Sequence, residues 1–336
     1  MQHAYSAEKK SMGSNGESIR PGLVNHEIDI SIIIVSWNVS KLLKNCLQSI
    51  FANSKSLNIQ VIVVDSGSAD DTCEMVRQTF PQVDLFDMQK NVGFPAGNNI
   101  GLQAAVGRNI YLLNPDTEII GDALQVMLTH IEADKSIGLI GSWLQYPDGK
   151  IQSSRRRFPT ILTGLFESTW LEVWAPKLIL EQYSMTDKRD DEPCEADWVM
   201  GASMFVSREA ILAVGGMDED YFMYSEELDW CRRIKDTGFK IWWLPQARVV
   251  HHLGASSDQA STMRHINFNR AKLRYFRKYH GTAASGLIRT VLIANYAGQI
   301  VIEGAKWLAG HRRELRKQRI EAYWQVVRSG LKPAGY

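Results

Sequence analysis

The sequence predicts an α/β protein built on a doubly wound, mostly parallel sheet. Three observations carry that reading. β-Branched runs such as "IDISIIIVS" and "IQVIVVD" lack polar alternation, so they read as strands buried on both faces. Helical patterns separate them, the rhythm of parallel strands joined by crossover helices. The early strands end on Trp37-Asn38, Asp65 and Asn114-Pro115-Asp116. Open parallel sheets bind ligands beyond the carboxyl ends of their strands, so the polar chemistry gathers at one edge.

The elements follow in order. After the first strand, "SKLLKNCLQSIF" puts Leu42, Leu43, Cys46, Leu47 and Ile50 on one helical face, with Ser40 as N-cap. The second strand ends on Asp65 before a Gly/Ser turn and a helix to Phe80. "VDLFDM" is a third strand. "NVGFPAGNNIGLQAAVG" is a Gly/Asn-rich loop entering a helix. "RNIYLLNPD" is the fourth strand, "GDALQVMLTHIEAD" a helix and "IGLIGSWLQY" a fifth strand. Near residue 145 the rhythm breaks. "GKIQSSRRRFPT" is a basic loop, and residues 160–195 are irregular and Trp-rich. "DWVMGASMFVS" reads as one strand, "SEELDWCRRIKDTG" as a helix and "FKIWWLP" as a strand. After "ARVVHHLGASS", helices are expected at about 262–279 and 285–328.

The 336 residues allow one large or two modest domains. A hydrophobic fraction of 45% and a charged fraction of 22% are those of a soluble globular chain. A net charge of +1 gives no electrostatic footprint for nucleic acid. Cys46, Cys73, Cys194 and Cys231 form no CxxC or zinc spacing. Cys46 and Cys231 fall in helical patterns as small core residues, which suits a reducing compartment. Residues 1–28 are polar without an apolar h-region, and are expected to be a flexible tail rather than a secretory signal. Thr290 to Ile302 comes nearest to a membrane span and falls short of about 20 apolar residues.

Two nucleotide cradles are missing. The first strand is followed by "SWNVSK", without the GxGxxG of a dinucleotide site, and no GxxxxGK[ST] occurs. If phosphates bind here, a cation held by carboxylates is the candidate that neutralises them.

Six blocks in register carry a family resemblance: "SIIIVSWN", "VIVVDSGSADDT", "NVGFPAGNNIGL", "YLLNPDTEI", "VMGASMFVSREAILAVGGMDEDYFMYSEELDWCRR" and "VVHHLGASS". Together they resemble an inverting family-2 glycosyltransferase of the GT-A fold, in its rhamnosyltransferase-like branch. The resemblance covers about residues 29–260. It implies a nucleotide-sugar half at 29–145, an acceptor and catalytic half at 146–260, and a helical extension at 261–336.

The resemblance also assigns roles. Asp65 is expected to contact the nucleobase or ribose, with Ser36, Asn38 and Gly67 beside it. Ser68, Asp70 and Asp71 read as turn and cap residues. Asn91, Gly93 and Asn98 line the donor pocket, or simply form a tight loop before a helix. GT-A enzymes commonly carry Asp-x-Asp on Mg²⁺ or Mn²⁺. Asn114 replaces the first acid here, which leaves Asp116 as the charged ligand, with an Asx-turn as its bland alternative. His251, selected over His252 by alignment on Gly-Ala-Ser, completes the metal site. Arg156, within Arg155–Arg157, is expected on the donor diphosphate or an acceptor phosphate, with a solvated loop as the bland alternative. Trp198, Gly201 and Ala202 face the acceptor.

An inverting transfer needs one general base. The family places it at Glu227, with Glu226 as the alternative and Asp229 structural or acceptor-orienting. The helix N-terminus is expected to favour the ionised form, and Ser225 suits a cap. The implied reaction moves L-rhamnose from dTDP-L-rhamnose to a hydroxyl of a surface-glycan or lipid-linked acceptor. The expected setting is cytoplasmic, at the inner face of the membrane. An apolar helix followed by "HRRELRKQR" suits peripheral membrane contact or a homodimer. The competing readings are a non-catalytic GT-A scaffold and a processive synthase. The latter would need Gln-x-x-Arg-Trp and membrane spans.

Overall fold

The computed structural model describes residues 19–54, 56–167, 169–252 and 261–332. β1 (Ile30–Ser36), β2 (Ile59–Asp65), β3 (Asp84–Asp87) and β4 (Asn109–Leu113) pair in parallel in the order β3-β2-β1-β4. All of β1 and β4 is buried, as continuous apolar strands require when both faces are covered. The covering helices are α1 (Ser40–Asn53), α2 (Thr72–Thr79) and α3 (Phe94–Ala104). Ser40 does not cap α1. Val39 holds that position, and the Ser40 amide donates instead to Asp70 Oδ2 at 3.2 Å.

The chain continues through β5 (Thr117–Ile119), α4 (Ala123–Ala133), β6 (Ile137–Gln145), β7 (Ile151–Gln152) and β8 (Arg155–Arg156). Next come α5 (Ile161–Phe166), a 3-10 turn at Trp170–Trp174 and α6 (Lys177–Ser184). β9 (Cys194–Ala196), β10 (Trp198–Val199), β11 (Ser203–Ser207), α7 (Arg208–Val214), α8 (Glu226–Asp236) and β12 (Lys240–His251) complete the α/β body. The sheet extends as β4-β11-β6-β12-β5. β11 runs antiparallel between β4 and β6, while β12 is parallel to β6. The result is a mixed, mostly parallel sheet with a hydrophobic layer on each face. Cys46 and Cys231 are buried in those layers, as expected of small core residues.

Two expectations are corrected. The run from Asp197 to Ser207 is not one strand. β10 pairs with β8 in a separate ribbon, and the chain turns at 200–202 before β11 enters the main sheet. The Met200 amide leaves the strand to donate to Ser154 O at 2.9 Å. Nor is 285–328 one helix. α9 (Ser261–Leu308) kinks at Gly281 (φ 86°), and the chain turns at Gly310 and Arg312 before α10 (Arg313–Arg328). α10 folds back on the second limb of α9: Arg289 Nε donates to Gly330 O, and Arg316 pairs with Glu303, each at 2.6 Å. A third core joins Leu228 of α8 to Phe276, Ile288 and Val326. By length and composition α9 could cross a membrane, although 28% of its most apolar window is buried in the protein.

Candidate active site

The site is assembled at the carboxyl ends of β1, β2 and β4 and at the start of α8. Asp65 ends β2 fully buried. Its carboxylate accepts the Ser68 amide at 2.8 Å and the Ser68 hydroxyl at 2.6 Å. Asn38, left-handed at φ 54°, locks the same turn: its amide donates to Ser68 Oγ and its Oδ1 accepts the Ala69 amide. Gly67 is left-handed too (φ 74°), and a Cβ there would meet the Lys90 backbone at 2.6 Å. Ser36 ends β1 with its hydroxyl buried and unpartnered. Asn91 Oδ1 accepts the Gly93 amide at 3.0 Å, while buried Asn98 donates within its own helix to Phe94 O. Asn99, which the sequence did not single out, holds the chain before the acid pair through Met217 and Glu219.

Asp65, Cys73 and Asp87 bring their ligand atoms within 4.8 Å of one another. Burial and the two carboxylates push the Cys73 thiol up to about 12.

At the tip after β4, Thr117 Oγ1 closes the turn onto Asn114 O at 2.7 Å. The Asp116 side chain is not needed for that turn, and it lies buried 3.4 Å from His251 Nε2. His251 is also buried. Gln152 Nε2 donates to its carbonyl at 2.7 Å, and Gln152 Oε1 lies 2.9 Å from Nδ1. Since the carbonyl can only accept, the amide oxygen faces the ring and Nδ1 carries the proton. Nε2 faces Asp116. A carboxylate oxygen and an imidazole nitrogen so aimed suit a hard divalent cation. Buried Asn114 Oδ1 has no partner. Among the described residues this pair has no third His, Cys, Asp or Glu close enough to complete a ligand trio. Further ligands would come from the diphosphate and water.

Glu226 and Glu227 open α8 after two consecutive left-handed residues, Tyr224 (φ 75°) and Ser225 (φ 62°). Non-glycine residues rarely adopt that conformation, and the strain sits directly before the acids. Ser225 gives no side-chain cap. The amides at the helix N-terminus do favour the ionised form, as expected, but burial outweighs them. Burial, and then the charge of Glu227, push Glu226 well above the ordinary glutamate range. Burial also raises Glu227, and the backbone amides around it soften that rise without reversing it. Desolvation outweighs the helix-terminus field. Each acid keeps a buried Oε2 without a partner.

Gly201 lies against Glu227, since a Cβ there would stand 3.5 Å from the glutamate Cβ. Ala202 O accepts the Asn114 amide at 3.0 Å. One turn thus links the Asp116 tip to the acid pair. Gly93 (φ 81°) closes the other side: its Cβ would meet Phe222 O at 2.7 Å.

Asp229 faces elsewhere. Its oxygens take Arg233 Nε, Lys278 Nζ and the Tyr279 hydroxyl, which tie α8 to α9. The arginine run is not a solvated loop. Arg155 pairs with Asp190 and stacks on Trp243, and Arg157 grips Asp187. Among the described residues Arg156 has no carboxylate within ion-pair distance. It lies over the Tyr183 ring, opposite Trp198 in the β8–β10 ribbon. Glu167 lies beside the Tyr183 hydroxyl, and its carbonyl accepts buried Lys272. A cleft of about 570 Å³ opens nearby between Asn38, Lys41 and Asp71, outside the Asp116 and Glu227 cluster.

Residues 31–194 match the profile of Glycosyl transferase family 2. The chain carries a family-2 glycosyltransferase domain. This glycosyltransferase is 25% identical over 280 residues to N-acetylglucosaminyl-diphospho-decaprenol L-rhamnosyltransferase of Mycobacterium tuberculosis, which covers 73% of this chain and 88% of the relative. It is 25% identical over 232 residues to rhamnosyltransferase WbbL of Escherichia coli K12, covering 66% and 83%. The mannosyltransferase PcManGT from Pyrobaculum calidifontis, solved with GDP-Man and Mn²⁺, superposes at a TM-score of 0.53 and 15% identity. That match covers 93% of this chain and 89% of the other. The shared architecture is the GT-A fold.

Proposed function

We propose that this glycosyltransferase moves L-rhamnose from dTDP-L-rhamnose, with inversion and with a divalent cation, to a hydroxyl of a glycan on a lipid carrier. The observation that carries the reading is the unpartnered Oε2 of Glu227. It lies beside Gly201, one backbone hydrogen bond from the Asp116 tip. The acceptor class follows the name of the Mycobacterium tuberculosis relative, whose acceptor is a sugar on a prenyl diphosphate.

In this reading Glu227 takes the acceptor hydroxyl proton as the hydroxyl attacks the anomeric carbon, and the nucleoside diphosphate leaves from the opposite face. The buried, raised Glu226 stays protonated beside it, which spares the base a second negative charge. Asp116 and His251 would hold Mg²⁺ or Mn²⁺. When bound, the ion offsets negative charge developing on the diphosphate. Asp65 keeps acceptor capacity beyond its Ser68 bonds for a base N–H or ribose hydroxyl. Asn38 and Gly67 shape that turn, and Asn91 and Gly93 shape the opposite wall. Arg156, Trp198 and Tyr183 form the acceptor side, where the guanidinium, held by Ser153 through Nη1 and without a carboxylate partner, meets an acceptor phosphate.

The test is a thermal-shift panel of dTDP-rhamnose, UDP-glucose, UDP-galactose and GDP-mannose, with and without Mn²⁺. A ligand of the native state raises the melting temperature. The expected result is a Mn²⁺-dependent shift with dTDP-rhamnose alone, absent in Asp116→Ala. A shift with another donor replaces the sugar assignment, and no shift with any donor overturns the reading.

A further inference from the structure

The second limb of α9 carries an exposed stripe without charge. Leu287, Thr290, Ala294, Ala297, Val301 and Leu308 recur at helical spacing, and all are exposed. At about 1.5 Å per residue the stripe is about 32 Å long. The opposite face of the limb is covered, because Ile288, Leu292 and Tyr296 are buried with Val326 of α10. A second apolar patch adjoins this limb. In the Trp-rich segment Val173 is 86% exposed and Trp174 66%, with Trp170 and Leu178 also exposed. The Trp170 amide donates to Asn295 Oδ1 at 2.9 Å, which fastens the segment to α9.

Charge identifies the occupant. Residues 282–332 hold nine Lys and Arg against three Asp and Glu, a net +6 in a chain whose total is +1. Arg312, Arg313, Lys317 and Arg319 are exposed. A second copy docked on this face would bring one +6 surface against another. A membrane span would carry Arg289 or Glu303 into the hydrocarbon, since only thirteen residues lie between them, short of about 20. An anionic lipid surface meets both demands. Its headgroups pair with the arginines, and exposed Trp and aliphatic side chains enter the headgroup boundary.

We propose that the α9 stripe, the Trp170–Leu178 segment and the exposed arginines Arg312 and Arg313 at the turn after Leu308 form one seat on an anionic membrane. The seat is wider than the C-terminal helices alone. The Trp-rich segment runs from Glu167 to Tyr183, so the lipid face adjoins the acceptor side. That last link rests on the proposed acceptor, whereas the lipid contact itself does not.

The experiment is sedimentation of the full chain with vesicles of phosphatidylglycerol and phosphatidylcholine, and with phosphatidylcholine alone. The expected result is binding to the anionic vesicles only, released by high salt. The double variant Val173→Glu, Trp174→Glu and the single variant Val301→Glu should each weaken it about tenfold or more. Their melting temperatures and nucleotide-sugar shifts should match the parent. Tryptophan quenching by brominated lipids in the unaltered protein reports the same contact without any variant. No binding to anionic vesicles, unchanged binding in both variants, or a dimer that Val301→Glu dissolves would overturn the seat. Failure of the donor panel with vesicle binding intact would remove the rhamnose reading and leave the seat standing.

Discussion

Gln152 grips His251 at two points, through the histidine carbonyl at 2.7 Å and through Nδ1 at 2.9 Å. The grip fixes which ring nitrogen bears hydrogen. Replacing Gln152 with Leu should weaken the Mn²⁺ response of donor binding by about 10- to 100-fold. It should also cost about 1–3 kcal/mol of stability, because a buried carbonyl loses its donor. A Mn²⁺ titration followed by melting temperature reads both. An unchanged metal midpoint would mean the grip is purely structural.

The acid pair separates base from neighbour. Glu227→Gln should lower turnover by about 10²- to 10⁴-fold while the donor still binds. Glu226→Gln, which keeps the neutral shape, should retain far more activity. Comparable losses in both variants would refute Glu227 as the base.

The same pair sets a pH dependence of stability. Burial raises both glutamates in the folded state, so the native protein binds more protons than the unfolded chain above the ordinary glutamate value. Stability from this pair is present at low pH and declines as pH rises through the raised range. Glu226→Gln should flatten that decline. Melting temperatures across pH, parent against variant, test it, and parallel curves would contradict the assignment.

Two glycines should behave differently. Gly93→Ala combines φ 81° with a Cβ 2.7 Å from Phe222 O. It is expected to lose about 1–3 kcal/mol and to loosen the donor loop. Gly201→Ala meets Glu227 only at 3.5 Å, so the fold should persist and any defect should appear in the acceptor KM. Denaturant melts beside kinetics distinguish the two.

Asp229→Asn removes a buried charge that faces Lys278 at 2.6 Å and Arg233 at 2.9 Å. Breaking a buried pair in this way costs about 3–5 kcal/mol. The loss should appear in chemical denaturation, with donor affinity at low temperature preserved.

The parallel strands β1, β2 and β4 were readable because they are largely apolar, and only a sheet covered on both sides accommodates that. Asp116 was readable because a proline turn follows such a strand. Gln152 was not. It lies 99 residues from His251, and nothing local to "KIQSS" announces a histidine partner. The break at Met200 was hidden because the residues on both sides suit strands, and only the Ser154 carbonyl draws the chain away. The burial that raises the acid pair was not legible, because it depends on residues far along the chain, whereas a helix start argues for ionisation. Asp229 resembled a site residue through its position beside the acids, and its cationic partners on α9 were invisible from sequence.

The antiparallel β11 has a wider consequence. Because it starts where β4 ends, a single strand junction holds Asn114 to Ala202 and Gly201 to Glu227. Everything from Arg157 to Glu192 is spliced between β8 and β9, outside that junction. If the acceptor is met as proposed, this segment is a cassette, and the Asp116–Glu227 junction does not depend on its length. Chimaeras exchanging that segment should change which glycan is extended while the transfer step itself is inherited intact.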